Sequence, residues 1–190
     1  MKGLFGGTFN PIHFGHINLA IELKEKANLS EIWMVPAHIS PFRTQESLVA
    51  AEKRLTMVEL AVQEIPGFRV LDIEVKRSGP SYTIDTIKEI LSTGEEIALI
   101  LGEDALTGFD RWKEYEEIVR QVPLVVGSRQ GSQRATFLPE VESAIKKGTI
   151  PTSLMEISAT ALRQRLKKRL YCGHLMPSKV LDYIYENQLY

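Results

Sequence analysis

The stretch KGLFGGTFNPIHFGH, residues 2 to 16, decides the fold. A short apolar run ends at two glycines, a polar turn follows, and a helical pattern starts near Phe14. Strand, tight turn and helix in that order make the opening unit of a parallel α/β sheet, and they put Gly6, Gly7 and Thr8 just beyond the strand's carboxyl end. Glycine there lets the backbone approach an anion closely, and the N–H groups and positive dipole end of the next helix favour phosphate. The glycine spacing matches neither the G-x-G-x-x-G of dinucleotide dehydrogenases nor the G-x-x-x-x-G-K-[ST] of P-loop enzymes. His13 and His16 stand three apart on the first helical turn, a spacing that brings both imidazoles to one side, where they can donate to the oxygens of one phosphate. The plainer alternative, a helix cap and a separate buried histidine, explains each residue alone but not the pair beside a Gly-Gly turn.

Outward from this unit, short apolar runs alternate with longer amphipathic ones. Strands are expected at 2–6, 31–36, 68–75, 96–102 and 123–128, and helices at 14–27, 47–64, 83–92, 111–121 and 139–147. The run IALIL (97–101) is apolar throughout, as a parallel strand buried on both faces should be. Leu48, Ala51, Leu55, Val58 and Val62 recur at three- and four-residue steps and mark a helix that packs on the sheet. A weaker segment at 152–157 precedes helices at 159–170 and 178–188, and 128–139 reads as a surface loop. With no internal repeat or long linker, residues 1–190 read as a single domain whose last part, about 158–190, is a small helical subdomain. Ligands of an open parallel sheet bind beyond the carboxyl ends of its strands, so function is expected in the loops after Gly6, Pro36, Val75, Gly102 and Val126.

Composition excludes several classes. The 190 residues carry 23 basic and 24 acidic side chains, without the basic excess a generic nucleic-acid binder uses to neutralise phosphates. Charge is uneven instead: Ser158 to Leu181 holds six basic residues and no acid, whereas Glu103 to Glu117 holds six acids and two bases. One cysteine, Cys172, rules out an internal disulfide, and four scattered histidines offer no zinc spacing. Neither a signal peptide nor a membrane span is expected, which fits a cytoplasmic protein.

A second constellation, ISATALRQRL (157–166), also makes physical sense around phosphate. Ser158 is a good N-cap, Thr160 lies in the first turn, and Arg163 follows three residues on along the same face. Hydroxyls, helix N–H groups and a guanidinium fork thus converge on one point. The two stretches resemble the paired signatures of the nucleotidylyltransferase superfamily: GGTFNPIHFGH looks like GGTFDPxHxGH, and ISATALR looks like ISSTxxR, some 140 residues downstream.

Further stretches narrow the resemblance to the bacterial nicotinate-nucleotide adenylyltransferases: VPAHISPFR (35–43), RLTMVELA (54–61), PSYTIDT (80–86), LGEDALTGFDRW (101–112) and the ending LMPSKVLDYIYENQLY. The resemblance implies a doubly wound, Rossmann-like parallel sheet with helices on both faces, and transfer of AMP from ATP to nicotinate mononucleotide. It implies that Gly6, Gly7, Thr8 and Phe9 line the cleft, with His13 and His16 on the ATP phosphates and Ser158, Thr160 and Arg163 on the β- and γ-phosphates. Gly102 and Asp104 would lie by the ATP ribose, the backbone at Thr83 would receive the nicotinate carboxylate, and Trp112 would stack on the pyridine. Arg43 and Arg129 would approach the mononucleotide phosphate. Magnesium is expected to ride on the triphosphate, with no metal site of the protein's own, and a homodimer is expected from the resemblance.

Three residues depart from the superfamily pattern. Asn10 replaces an aspartate, Ala159 replaces a serine, and Phe42 stands where many relatives have histidine, a place His38 could fill. The rival readings are a sister transferase acting on nicotinamide mononucleotide or phosphopantetheine, a nucleotide-binding sensor without catalysis, and a redox protein, the last weakened by its glycine pattern.

Overall fold

The computed structural model describes residues 1–42, 48–128, 137–153 and 155–190. Within them the chain runs β1 (Lys2–Gly7), α1 (Phe14–Lys26), β2 (Ile32–Pro36), α2 (Ala51–Val62), β3 (Phe68–Val70), α3 (Thr83–Leu91), β4 (Ile97–Gly102), α4 (Glu103–Leu106), a 3-10 turn (Phe109–Arg111), α5 (Tyr115–Gln121), β5 (Leu124–Ser128), α6 (Pro139–Gly148), β6 (Thr149–Pro151), α7 (Ala159–Lys167) and α8 (Ser178–Glu186). The strands form one sheet in the order β3-β2-β1-β4-β5-β6, with every pair parallel. This is the doubly wound α/β arrangement, and strand order reverses between β1 and β4.

Strand periodicity splits the core between the two faces of the sheet. Phe5, Met34, Ile100 and Val125 point to one side, where they meet Leu23 of α1, Met57 of α2, Leu162 of α7 and Ile184 of α8. Their neighbours Leu4, Val35, Leu99 and Val126 point to the other, against Ile87 of α3, Ile118 of α5 and Ile145 of α6. Both faces being covered explains why these strands read as continuous apolar runs. No helix among the described residues is long and apolar enough to cross a membrane.

Several boundaries differ from the sequence expectation. β3 stops at Val70 rather than residue 75, because the chain turns away at 73–75 to bury Glu74. The helix expected over 111–121 begins at Tyr115, since Glu114 takes a left-handed conformation (φ 53°) that no continuing helix accommodates. The helices expected over 47–64, 159–170 and 178–188 shorten to Ala51–Val62, Ala159–Lys167 and Ser178–Glu186, the last two ending just before left-handed residues, Arg169 and Gln188. Among the described residues of 152–157 no regular element forms; the edge strand lies just before them, at Thr149–Pro151.

Candidate active site

Above the carboxyl ends of β1 and β4, at the point where strand order reverses, lies a cleft of about 840 Å³. Its walls include Gly6, Gly7, Thr8, Phe9, His13, His16, Thr83, Gly102, Asp104, Trp112, Ser158 and Thr160, so one cavity gathers residues from five separate segments of the chain. Four of the five loops expected to carry function contribute to it; of the loop after β5, residues 129–136 lie outside the described residues. Arg43 and Arg129 also lie outside them.

The first motif supplies the floor. Gly6 is exposed, and a Cβ there would find nothing closer than the Val35 carbonyl at 4.0 Å, so its backbone faces open space in the cleft. Gly7 is closed by contrast: a Cβ would stand 2.8 Å from the ring of Phe9, which packs across it. Phe9 itself is buried with φ 45°, and the Asn10–Pro11 bond is cis. His13 then takes the extended N-cap conformation at the start of α1.

His13 and His16 stack with ring centroids 3.7 Å apart and planes 24° from parallel, which is the pairing the three-residue spacing predicts. The backbone N–H of His13 donates to Nδ1 of His16 across 3.3 Å. That bond assigns the tautomer: with Nδ1 accepting, neutral His16 carries its proton on Nε2 and is a donor there. The ring of Phe9 meets His16 edge-on at 5.1 Å and fixes its plane. Between the histidines, Gly15 allows close approach, since a Cβ would sit 3.1 Å from Nδ1 of His13 and 3.4 Å from the Met155 carbonyl.

The second motif closes on the first. Ser158 caps α7 by accepting from the Ala161 N–H. Arg163 donates to the Oγ1 of Thr160 at 3.1 Å and to the carbonyl of Asn10 at 2.9 Å. Arg163 does not itself line the cleft; both of its partners do.

On the opposite wall, Thr83 opens α3, whose start has no side-chain cap, and both Tyr82 and Thr83 line the cleft. Half-buried Trp112 stands edge-on to Phe109, with centroids 5.3 Å apart. Asp104 is exposed beside Gly102, where a Cβ would lie 2.9 Å from the Asp104 carboxylate.

Three residues that build this site were not singled out as site residues from the sequence. Arg54, 1% exposed, donates from all three guanidinium nitrogens to backbone carbonyls: Nε to Val49 at 2.8 Å, Nη1 to Thr8 at 2.7 Å and Nη2 to His38 at 2.8 Å. It bolts the glycine turn to the loop after β2. Tyr190 donates its hydroxyl to Oδ1 of buried Asn10 at 2.7 Å, and burial pushes that phenol well above its ordinary range against the opposing pull of Arg163 and Arg54. Glu74 lines the cleft although it is buried; desolvation raises its carboxyl, opposed by bonds from Thr86 and Ser81 and by the charge of Arg77. A charged residue in a sequence suggests solvent, and nothing in its spacing reveals carbonyl partners far along the chain.

Comparison with known proteins agrees with this geometry. Residues 4–165 match the cytidylyltransferase-like family. Probable nicotinate-nucleotide adenylyltransferases of Carboxydothermus hydrogenoformans and Dehalococcoides mccartyi are 36% and 38% identical to the chain, each alignment covering 99% of it and 96% of the relative. The solved structure of Plasmodium falciparum nicotinic acid mononucleotide adenylyltransferase complexed with NaAD shares the fold, with a TM-score of 0.78 at 21% identity over 99% of this chain and 96% of its own. The cleft at the β1–β4 reversal, with both superfamily motifs on its walls, is therefore that of a member of the cytidylyltransferase-like family, and within it the chain belongs to the nicotinate-nucleotide adenylyltransferases.

Proposed function

We propose that the chain transfers AMP from ATP to nicotinate mononucleotide, giving nicotinate adenine dinucleotide and pyrophosphate, as a step of NAD biosynthesis. The observation that carries this is the bond from Arg163 to the carbonyl of Asn10, which joins the two phosphate-facing motifs into one clamp. A phosphate oxygen of the mononucleotide attacks the α-phosphorus, a new P–O bond forms, and the bond to the β-phosphate breaks with pyrophosphate leaving. The attacking oxygen is already anionic, so catalysis is positioning and charge neutralisation.

Within that reaction His16, donating from Nε2 with His13 stacked behind it, meets charge building at the α-phosphate. Ser158, Thr160, Arg163 and the amino end of α7 hold the departing phosphates. Gly6, Gly7, Thr8 and Phe9 form the floor, and Gly102 and Asp104 serve the ribose. The uncapped start of α3 at Thr83 suits the acceptor's carboxylate, Trp112 its pyridine ring, and Arg43 and Arg129 its phosphate. Magnesium would arrive on the triphosphate, held by phosphate oxygens and water. Bound there, it would neutralise phosphate charge; exposed Asp104 and Glu156 are the carboxylates of this cleft that could meet its waters. We read residues 1–190 as one nucleotidylyltransferase domain with a helical part at 158–190, cytoplasmic and homodimeric, with neither nucleic acid nor membrane as partner.

Pyrophosphate release from Mg-ATP, compared across nicotinate mononucleotide, its amide and phosphopantetheine, tests the reading. The acid should be turned over fastest. Equal rates with acid and amide would overturn the acceptor, and no release with any acceptor would favour a sensor. His16→Ala should lower turnover by on the order of a hundredfold, the usual loss for one donor to a transition-state oxygen.

A further inference from the structure

We propose that Glu74 is a positioning residue for the acceptor: from beneath the cleft it fastens the Ser81–Thr83 segment, and with it the first amides of α3, in the orientation that receives the acceptor's anionic group. This deepens the acceptor reading above and rests on it.

Glu74 sits in the turn that follows β3, 6% exposed, with its side chain on the cleft wall beside Ser81, Tyr82 and Thr83. Two hydroxyls converge on it, each already oriented by another donor. Arg77 Nη1 donates to Oγ1 of Thr86 at 3.1 Å, and Thr86 passes its own proton to Oε1 of Glu74 at 2.7 Å. On the other side, the His38 N–H donates to Oγ of Ser81 at 2.9 Å, and that hydroxyl lies near Glu74, where it helps hold the carboxyl down against burial. Each hydroxyl accepts from an N–H and keeps its own proton to donate, which Thr86 gives in a hydrogen bond to Glu74.

The carboxylate thus ends one relay, from Arg77 through Thr86, and faces a second hydroxyl, that of Ser81, held from a different element. That element is the loop after β2, which also bridges 80–81 through the Ser81 N–H bond to the Ile39 carbonyl at 2.8 Å. Apolar packing from Ile84, Ile87 and Ile90 seats α3 on the sheet. The Thr86 bond to Glu74 adds an anchor there, beside the bonds that Ser81 makes to His38 and Ile39. A neutral or apolar group could fill the same space, yet only an acceptor of two protons suits both hydroxyls, and this explains a carboxyl buried against its own desolvation.

The test is calorimetric binding of nicotinate mononucleotide, nicotinamide mononucleotide and, separately, ATP to the wild-type chain and to Glu74→Gln. The glutamine keeps size and one acceptor oxygen but replaces the other acceptor with an amide N–H₂, a donor, so the two hydroxyls can no longer both give their protons to residue 74. Its Kd for the acid mononucleotide should rise by about tenfold, the equivalent of one lost hydrogen bond, with a smaller rise for the amide and an unchanged Kd for ATP. Ser81→Ala, which removes one hydroxyl and leaves Glu74 intact, should shift the same ligand in the same direction. Parallel losses for ATP and mononucleotide would mean a merely structural role and overturn the proposal, as would an unchanged Kd for the acid in Glu74→Gln. If the wild-type chain binds neither mononucleotide, the acceptor reading itself fails, and this inference with it.

Discussion

The hydroxyl of Tyr190 donates to Oδ1 of Asn10 across 2.7 Å, so the segment beyond α8 reaches into the first motif, and the same asparagine offers its carbonyl to Arg163. An aspartate, the residue usual at this position, would bring a charge to this buried point. Asparagine brings none, and among the described residues Arg163 donates to two neutral oxygens, the Asn10 carbonyl and Oγ1 of Thr160.

Tyr190→Phe should cost about 1 to 2 kcal/mol in urea unfolding, because Oδ1 of buried Asn10 loses the shorter of its bonds, the 2.7 Å one, while that from the Val49 N–H is 3.4 Å long. In an Asn10→Ala background the same substitution should cost clearly less. Equal costs in both backgrounds would show that the pair does not interact.

Arg54→Met should be more damaging, by about 3 kcal/mol or more, since three half-buried carbonyls lose the bond from a buried guanidinium at once. Arg54→Lys should recover little of this. A single ammonium cannot span the three directions that the guanidinium fork serves. Denaturant midpoints of the two variants check both statements.

Glu22 sets a pH dependence. Its carboxyl is held down from 4.5 to about 2, chiefly by the bond from Lys26, then by the Ser153 N–H and Asn18, with burial working the other way. Between these two values the unfolded chain takes up a proton that the folded chain refuses, so stability falls as the pH drops from 4.5 towards 2 and is complete above 4.5. The thermal midpoint of Glu22→Gln should therefore approach that of the wild type as pH is lowered from 6 to about 3. A gap that stays constant across the titration would contradict the assignment.

Gly15→Ala separates stability from activity. Alanine favours the helix, yet its Cβ would press on Nδ1 of His13 at 3.1 Å and on the Met155 carbonyl at 3.4 Å. Turnover should fall by about tenfold or more as the stacked imidazoles move apart, while the thermal midpoint changes little.

How far the sequence could be read follows from which interactions are local. β1, β2, β4 and β5 were legible because burial on both faces leaves unbroken apolar runs, and the His13–His16 stack because three residues make nearly one helical turn. β6 was not, since three residues ending in Pro151 form an edge strand defined only by its pairing with β5. Nor were the break at Glu114, which rests on one backbone angle, or Arg54, Glu74 and Tyr190, whose partners lie on other elements. The cleft residues came from motifs; the residues that hold the motifs in place came only from the fold.

The bond between Arg163 and Asn10 spans 153 positions of the chain and is made only once α7 has docked on the sheet. Local helices and neighbouring strands can form well before such a distant closure. Catalysis is thus a clock for the last stage of assembly: during refolding, pyrophosphate release should return later than the far-ultraviolet signal of the helices, and the lag between them measures how long the two halves of the clamp take to find each other.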